Sequence, residues 1–137
     1  MRYAMIDLPL AMHKSAFKAA EASHCAGEQG KFWEMHQSML SNQKNLGDPS
    51  TYAASIGLDM NKFDTCLKSN KYVEAVRKNM AIADSLGITV TPSFVIAEAD
   101  DRDPSKIKGI DMVRGAQEFE AFEQAINRAL AGINRKQ

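Results

Sequence analysis

The hydrophobic period of this chain changes at Ile88, and that change limits the folds open to it. From about Lys14 to Gly87 the apolar residues recur at helical spacing. Lys14–Ala26 is rich in alanine (Ala16, Ala19, Ala20, Ala22, Ala26) with Phe17 as its large anchor, and Gly27 suits the left-handed position after its last turn. Lys31–Asn42 places Phe32, Met35, His36, Met39 and Leu40 on one face, widened by Trp33. Asp48-Pro49 starts a short helix that stops at Gly57, and Asp59 can cap another carrying Met60, Phe63 and Leu67. Tyr72–Leu86 sets Val73, Val76, Met80 and Ala83 on one side, with Gly87 ending it.

Strand-like sequence flanks this block. Ile88–Ala97 is β-branched and aromatic, with Pro92 at its entrance, where a missing ladder donor is tolerated. Residues 98–104 are polar and turn-like. A second strand is expected within Ile107–Arg114, near Met112-Val113, and a helix over Glu118–Ala131 with Phe119, Phe122, Ile126 and Ala129 facing inward. Arg2–Ile6 reads as a further short strand closed by Asp7 and Pro9. The order strand, helical block, strand, strand, helix predicts an α/β domain with a helical insertion.

At 137 residues the chain fits one domain with a core of its own. Seventeen basic and seventeen acidic residues give zero formal net charge. That balance excludes the basic surplus of a nucleic-acid or anionic-membrane binder. No apolar run approaches the ~20 residues of a membrane span, and Met1–Asp7 lacks the pattern of a signal peptide.

Few residues offer chemistry. Cys25 and Cys66 stand 41 positions apart, each in an expected helix, and no C-x-x-C occurs. Two readings stand open: a disulfide, which needs Cα atoms within about 7 Å, or two small buried hydrophobes. His24 beside Cys25 is too small a set for zinc, so no metal is expected. His36 lies on an apolar helix face, which suits a packed histidine, and no serine or cysteine has an identifiable base and orienter. The methionines fall mostly at core periods.

In combination the residues resemble the DsbA-like thiol–disulfide oxidoreductase family. Phe17 through His36 is similar to the first part of that family's helical insertion, and Asp7-Leu8-Pro9-Leu10 to the strand exit before it. Tyr52 through Asp59, Phe63 and Cys66-Leu67 resemble its later helices. Ala83 through Ile88, with Thr91-Pro92-Ser93-Phe94, resembles the approach to its cis-proline loop, and Gly115-Ala116-Gln117 its C-terminal end.

The resemblance implies a truncated thioredoxin-like fold with an inserted helical domain. It assigns residues 11–87 to the insertion and 1–10 plus 88–137 to the thioredoxin-like part. In the family a first strand leads into a C-x-x-C at a helix N-terminus, which lowers a thiol pKa. This chain is expected to start after that helix, leaving no catalytic residue, no cofactor and no turnover by the chain alone. Val90, Thr91 and Pro92 then match the loop that offers backbone to peptide or protein thiol substrates. Cys25 and Cys66 match positions in the insertion outside the catalytic pair.

The absent strand would be central, between residues 2–6 and 93–97. Its loss predicts re-pairing or a dimer, swapped or symmetric. An extracytoplasmic, periplasmic setting is implied. A non-catalytic peptide-binding or self-associating module is the alternative reading. A third makes Cys25 and Cys66 a redox pair, which requires an accessible thiol.

Overall fold

A computed structural model gives the fold and describes residues 2–100, 102–103 and 106–134. It divides into two compact units, Met1–Gly87 and Ile88–Gln137.

The first unit is helical: α1 (Ala16–Gly27), α2 (Phe32–Ser41), α3 (Pro49–Ser55), α4 (Met60–Lys68) and α5 (Val73–Ser85), with a single 3-10 turn at Gln43–Asn45. Its core gathers Ala22, Cys25 and Ala26 of α1, Met35 and Met39 of α2, Tyr52 and Ala53 of α3, Leu58, and Phe63 and Cys66 of α4. Small alanines on α1 let the neighbouring helices approach closely, and Phe63 and Met35 fill the space between. Both expected helix starts stand, but only Asp59 caps through its side chain to the backbone; Asp48 accepts instead from the Thr51 hydroxyl. Asp59 Oδ1 accepts from the Lys62 N–H at 3.2 Å, and Pro49 occupies the first turn of α3 after Asp48. The Tyr52 hydroxyl donates to the Asn42 carbonyl, fastening α3 to the end of α2.

Several expectations are corrected here. Arg2–Ile6 forms no strand, because a strand needs a ladder partner and none is present among the described residues. The segment lies instead with the helical unit, where Tyr3 packs on Trp33 and Asp7 is buried, so residues 2–10 group with the helices and not with 88–137. The left-handed glycine after α1 is Gly30 (φ 72°), not Gly27, because α1 runs on through Gly27 and a turn over residues 28–30 follows. The apolar face of α2 is narrower than its spacing suggests: Met35 and Met39 are buried, while Leu40 and Trp33 are exposed.

The second unit is a two-stranded antiparallel sheet with one helix. β1 (Ser93–Ala99) pairs with β2 (Ile107–Arg114), Ser93 opposite Arg114 and Ala99 opposite Ile107. Asp111 faces Ile96 but Gly109 faces Ala97, so Ile110 is the extra residue of a bulge. The strand expected from Ile88 begins only at Ser93, after the proline that cannot donate to a ladder. Of the expected turn at 98–104, Asp101 and Pro104 lie outside the described residues. The Asp100 carboxylate there accepts from the Arg102 and Asp103 N–H groups.

α6 (Phe119–Asn134) covers one face of the sheet. Phe94 and Phe122 meet edge to face with centroids 4.9 Å apart, and Val113, Ala125 and Ala129 are buried. The Arg128 guanidinium donates to Asp111 Oδ2 at 2.8 Å. Phe119, expected inward, is 75% exposed; as the first residue of α6 it lies before the turn that contacts the sheet. Among the described residues no helix is long and apolar enough to cross a membrane.

Candidate functional site

The loop before β1 is exposed to solvent. Val90 is 45% exposed, and Thr91 and Pro92 are exposed as well. The Thr91–Pro92 peptide bond is cis. Both sides of the loop are fastened by hydrogen bonds to backbone: the Gly115 N–H donates to the Pro92 carbonyl at 2.8 Å, and the Ser93 hydroxyl donates to the Val90 carbonyl at 2.7 Å. Gly115 adopts φ 81°, a conformation other residues rarely take, at the turn that brings its N–H to Pro92. Thr91 is different. Among the described residues neither its N–H nor its carbonyl has a protein partner. The outer edge of β1, which continues from this loop, also lacks a ladder partner among the described residues. The result is a held loop in which the Val90 N–H and both main-chain groups of Thr91 lack a partner among the described residues, leading into a strand edge without a ladder partner.

The helical unit contains the sulfur. Cys25 in α1 and Cys66 in α4 are joined in a disulfide with Cα atoms 5.8 Å apart. Of the two open readings of the cysteines, the structure therefore takes the disulfide. Both are buried within the helical core. No thiol is free among the described residues, and the bond crosslinks two helices where a thiolate has little access.

Around His24 the structure builds a polar cluster that no spacing in the sequence announces. His24 Nε2 lies 2.7 Å from Asp7 Oδ2, which also accepts from Asn79 Nδ2 at 2.7 Å. The imidazole stacks on Tyr72, centroids 5.0 Å apart. Beside it, Glu28 receives the Lys71 ammonium and the Tyr72 hydroxyl. The Lys71 hydrogen bond, then that of Tyr72, hold the Glu28 carboxyl below its ordinary range, and Glu28 raises Lys71 in return. Burial, then the bond to Glu28, raise the Tyr72 phenol. In the second unit the Met112 N–H and then Arg128 hold Asp111 low. The contacts around His24 tie the N-terminal segment, α1 and α5 together through the Asp7 carboxylate. Among the described residues no set of three histidine, cysteine or carboxylate side chains is arranged to hold a metal. His36 packs against Phe32 and Trp33.

Of the residues singled out from sequence, Val90, Thr91 and Pro92 form one loop of the second unit, and Cys25 and Cys66 form one bond of the first. The Asp7–His24–Asn79 contacts were missed because their members are 17 and 72 positions apart.

Comparison with known proteins adds the family. The description "DSBA-like thioredoxin domain" matches residues 3–127. Among curated proteins, the Na(+)/H(+) antiporter NhaA 3 of Salinispora tropica is 33% identical over 113 residues, covering 80% of this chain and 17% of that protein. The Na(+)/H(+) antiporter NhaA 1 of Salinispora arenicola is 31% identical over 135 residues, 96% of this chain and 19% of that protein. The Na(+)/H(+) antiporter NhaA of Herminiimonas arsenicoxydans is 34% identical over 98 residues, 70% of this chain and 16% of that protein. The chain thus spans less than a fifth of the length of these relatives. No solved structure matches it.

Proposed function

Because this chain belongs to the family of DSBA-like thioredoxin domains, we propose that it is the peptide-holding part of a thiol–disulfide oxidoreductase domain, with no exchange activity of its own. Its α/β architecture, helices with a two-stranded sheet, agrees with that thioredoxin-like membership. Val90, Thr91 and Pro92 receive an extended segment of a peptide or protein thiol substrate. The observation that carries this reading is the pair of unpartnered main-chain groups of Thr91, its N–H and its carbonyl, leading into the edge of β1 that has no ladder partner among the described residues. An extended chain laid there gains main-chain hydrogen bonds, the way strand addition supplies affinity.

Exchange requires a thiolate within reach of the bound segment. The 137 residues hold only Cys25 and Cys66, bonded to each other in the helical core. The disulfide supports an extracytoplasmic setting, where such bonds persist. Among the described residues no helix is long and apolar enough to cross a membrane.

The test is amide hydrogen exchange with and without an extended cysteine-containing peptide, alongside insulin reduction. Slower exchange across Thr91 and β1, with no reduction above background, is expected. Turnover by the purified chain, or unchanged exchange in β1 at saturating peptide, refutes the reading.

A second reading, self-association as a dimer, rests on the same open edge, because unpaired apolar edges recruit strands. Sedimentation distinguishes it: a concentration-dependent dimer lost on Val95→Pro supports association through β1, and a monomer at all concentrations excludes it.

A further inference from the structure

The helical unit displays an exposed aromatic face beside one carboxylate, Glu34, apart from the peptide loop. Trp33 is 48% exposed and Tyr3 63%, their rings 5.6 Å apart. Phe32 and His36 also lie near-perpendicular to the indole, at 5.1 and 5.9 Å, so three rings hold Trp33 while part of it stays open to solvent. Trp33, Glu34, His36 and Gln37 line one shallow depression along α2. Glu34 is exposed and, among the described residues, pairs with no cation. Lys31, the nearest lysine in sequence, is turned to the Ile56 carbonyl at 2.6 Å. A rigid indole and an unpaired carboxylate therefore share one concavity.

We propose that this face binds an arginine side chain of a partner protein. The negative π face of an indole attracts a cation within about 6 Å. A guanidinium satisfies both walls at once: its plane stacks on Trp33 while its N–H fork reaches the Glu34 carboxylate. An anion would meet Glu34 unfavourably, and an apolar side chain would leave that carboxylate partly desolvated without a partner. No residue of this site belongs to the unit that carries Thr91–Pro92, so the inference is independent of the peptide loop.

Trp33 is the only tryptophan of the chain, so its fluorescence reports directly. The whole chain is titrated with capped Gly-Arg-Gly and with capped Gly-citrulline-Gly, the uncharged isostere. A saturable change with the arginine peptide is expected, about threefold or more tighter than with citrulline, and weakened by added salt. Glu34→Gln, at an exposed position, should weaken the arginine peptide about threefold and leave the citrulline peptide unchanged. Equal binding of the two peptides, arginine affinity indifferent to Glu34→Gln, or no saturation below about 10 mM each overturn the proposal.

Discussion

His24 Nε2 and Asp7 Oδ2 lie 2.7 Å apart, and this contact ties the N-terminal segment to α1. Asn79 of α5 donates to the same oxygen, so one buried carboxylate joins three parts of the unit. Removing it leaves two donors without their acceptor. Asp7→Ala is expected to cost about 1.5–3 kcal/mol in urea unfolding and to speed hydrogen exchange across residues 8–12. An unchanged midpoint would show that the contact contributes nothing net.

Two carboxylates should respond to pH with opposite signs. Glu28 is held low by Lys71 and Tyr72, so its contribution is present above the ordinary carboxylate range and is lost as pH falls through its depressed native value. Glu21 is raised by burial, only partly countered by Lys18. The native state then holds that proton more tightly than the unfolded chain, and stability declines as pH rises from the ordinary range through the raised value. Glu21→Gln should therefore stabilise at pH 7, with the gain vanishing in acid. Glu28→Gln should destabilise at pH 7 and lose its effect in acid. Unfolding midpoints between pH 3 and 8 check both signs.

The Cys25–Cys66 bond closes 41 residues of sequence. Restricting the unfolded chain over that span stabilises the fold by about 4 kcal/mol in the chain-entropy account. The double variant Cys25→Ala/Cys66→Ala should lose about 2–4 kcal/mol. In the native protein neither sulfur should react with iodoacetamide, and labelling should need both denaturant and reductant. Ready labelling of the folded, unreduced chain would return the cysteines to the redox reading.

Two phenylalanines at expected inward positions should differ widely. Phe63 is fully buried between α-helices of the first unit, and Phe63→Ala should cost about 3–5 kcal/mol. Phe119 is exposed at the start of α6, and Phe119→Ala should stay within about 0.5 kcal/mol. Equal losses in thermal or urea unfolding would mean that Phe119 packs in solution.

Local pattern settled the elements whose signals are local. Val73, Val76, Met80 and Ala83 keep helical spacing up to Gly87, and α5 ends at Ser85 with Gly87 in the left-handed position after its cap. Asp59 and Pro49 marked two helix starts because a cap involves residues only two or three positions away. The β-branched run after Pro92 and the Met112-Val113 segment became the two paired strands. The α/β class and the family likeness followed from that order and from residues spread over most of the chain.

What only the tertiary structure decided depends on distant partners. Arg2–Ile6 carries strand-forming residues but meets no strand, and it is placed by Tyr3 on Trp33 and by Asp7 against His24 and Asn79. Propensity describes how a residue suits a ladder, not whether a ladder is there. The cysteines could be counted in the sequence, but their bonding depended on α1 and α4 bringing the two Cα atoms to 5.8 Å. The loop Val90–Thr91–Pro92 could be located by resemblance. That Gly115, 23 positions beyond Pro92, donates to the Pro92 carbonyl, while the Thr91 N–H and carbonyl meet no described partner, appears only in the folded chain.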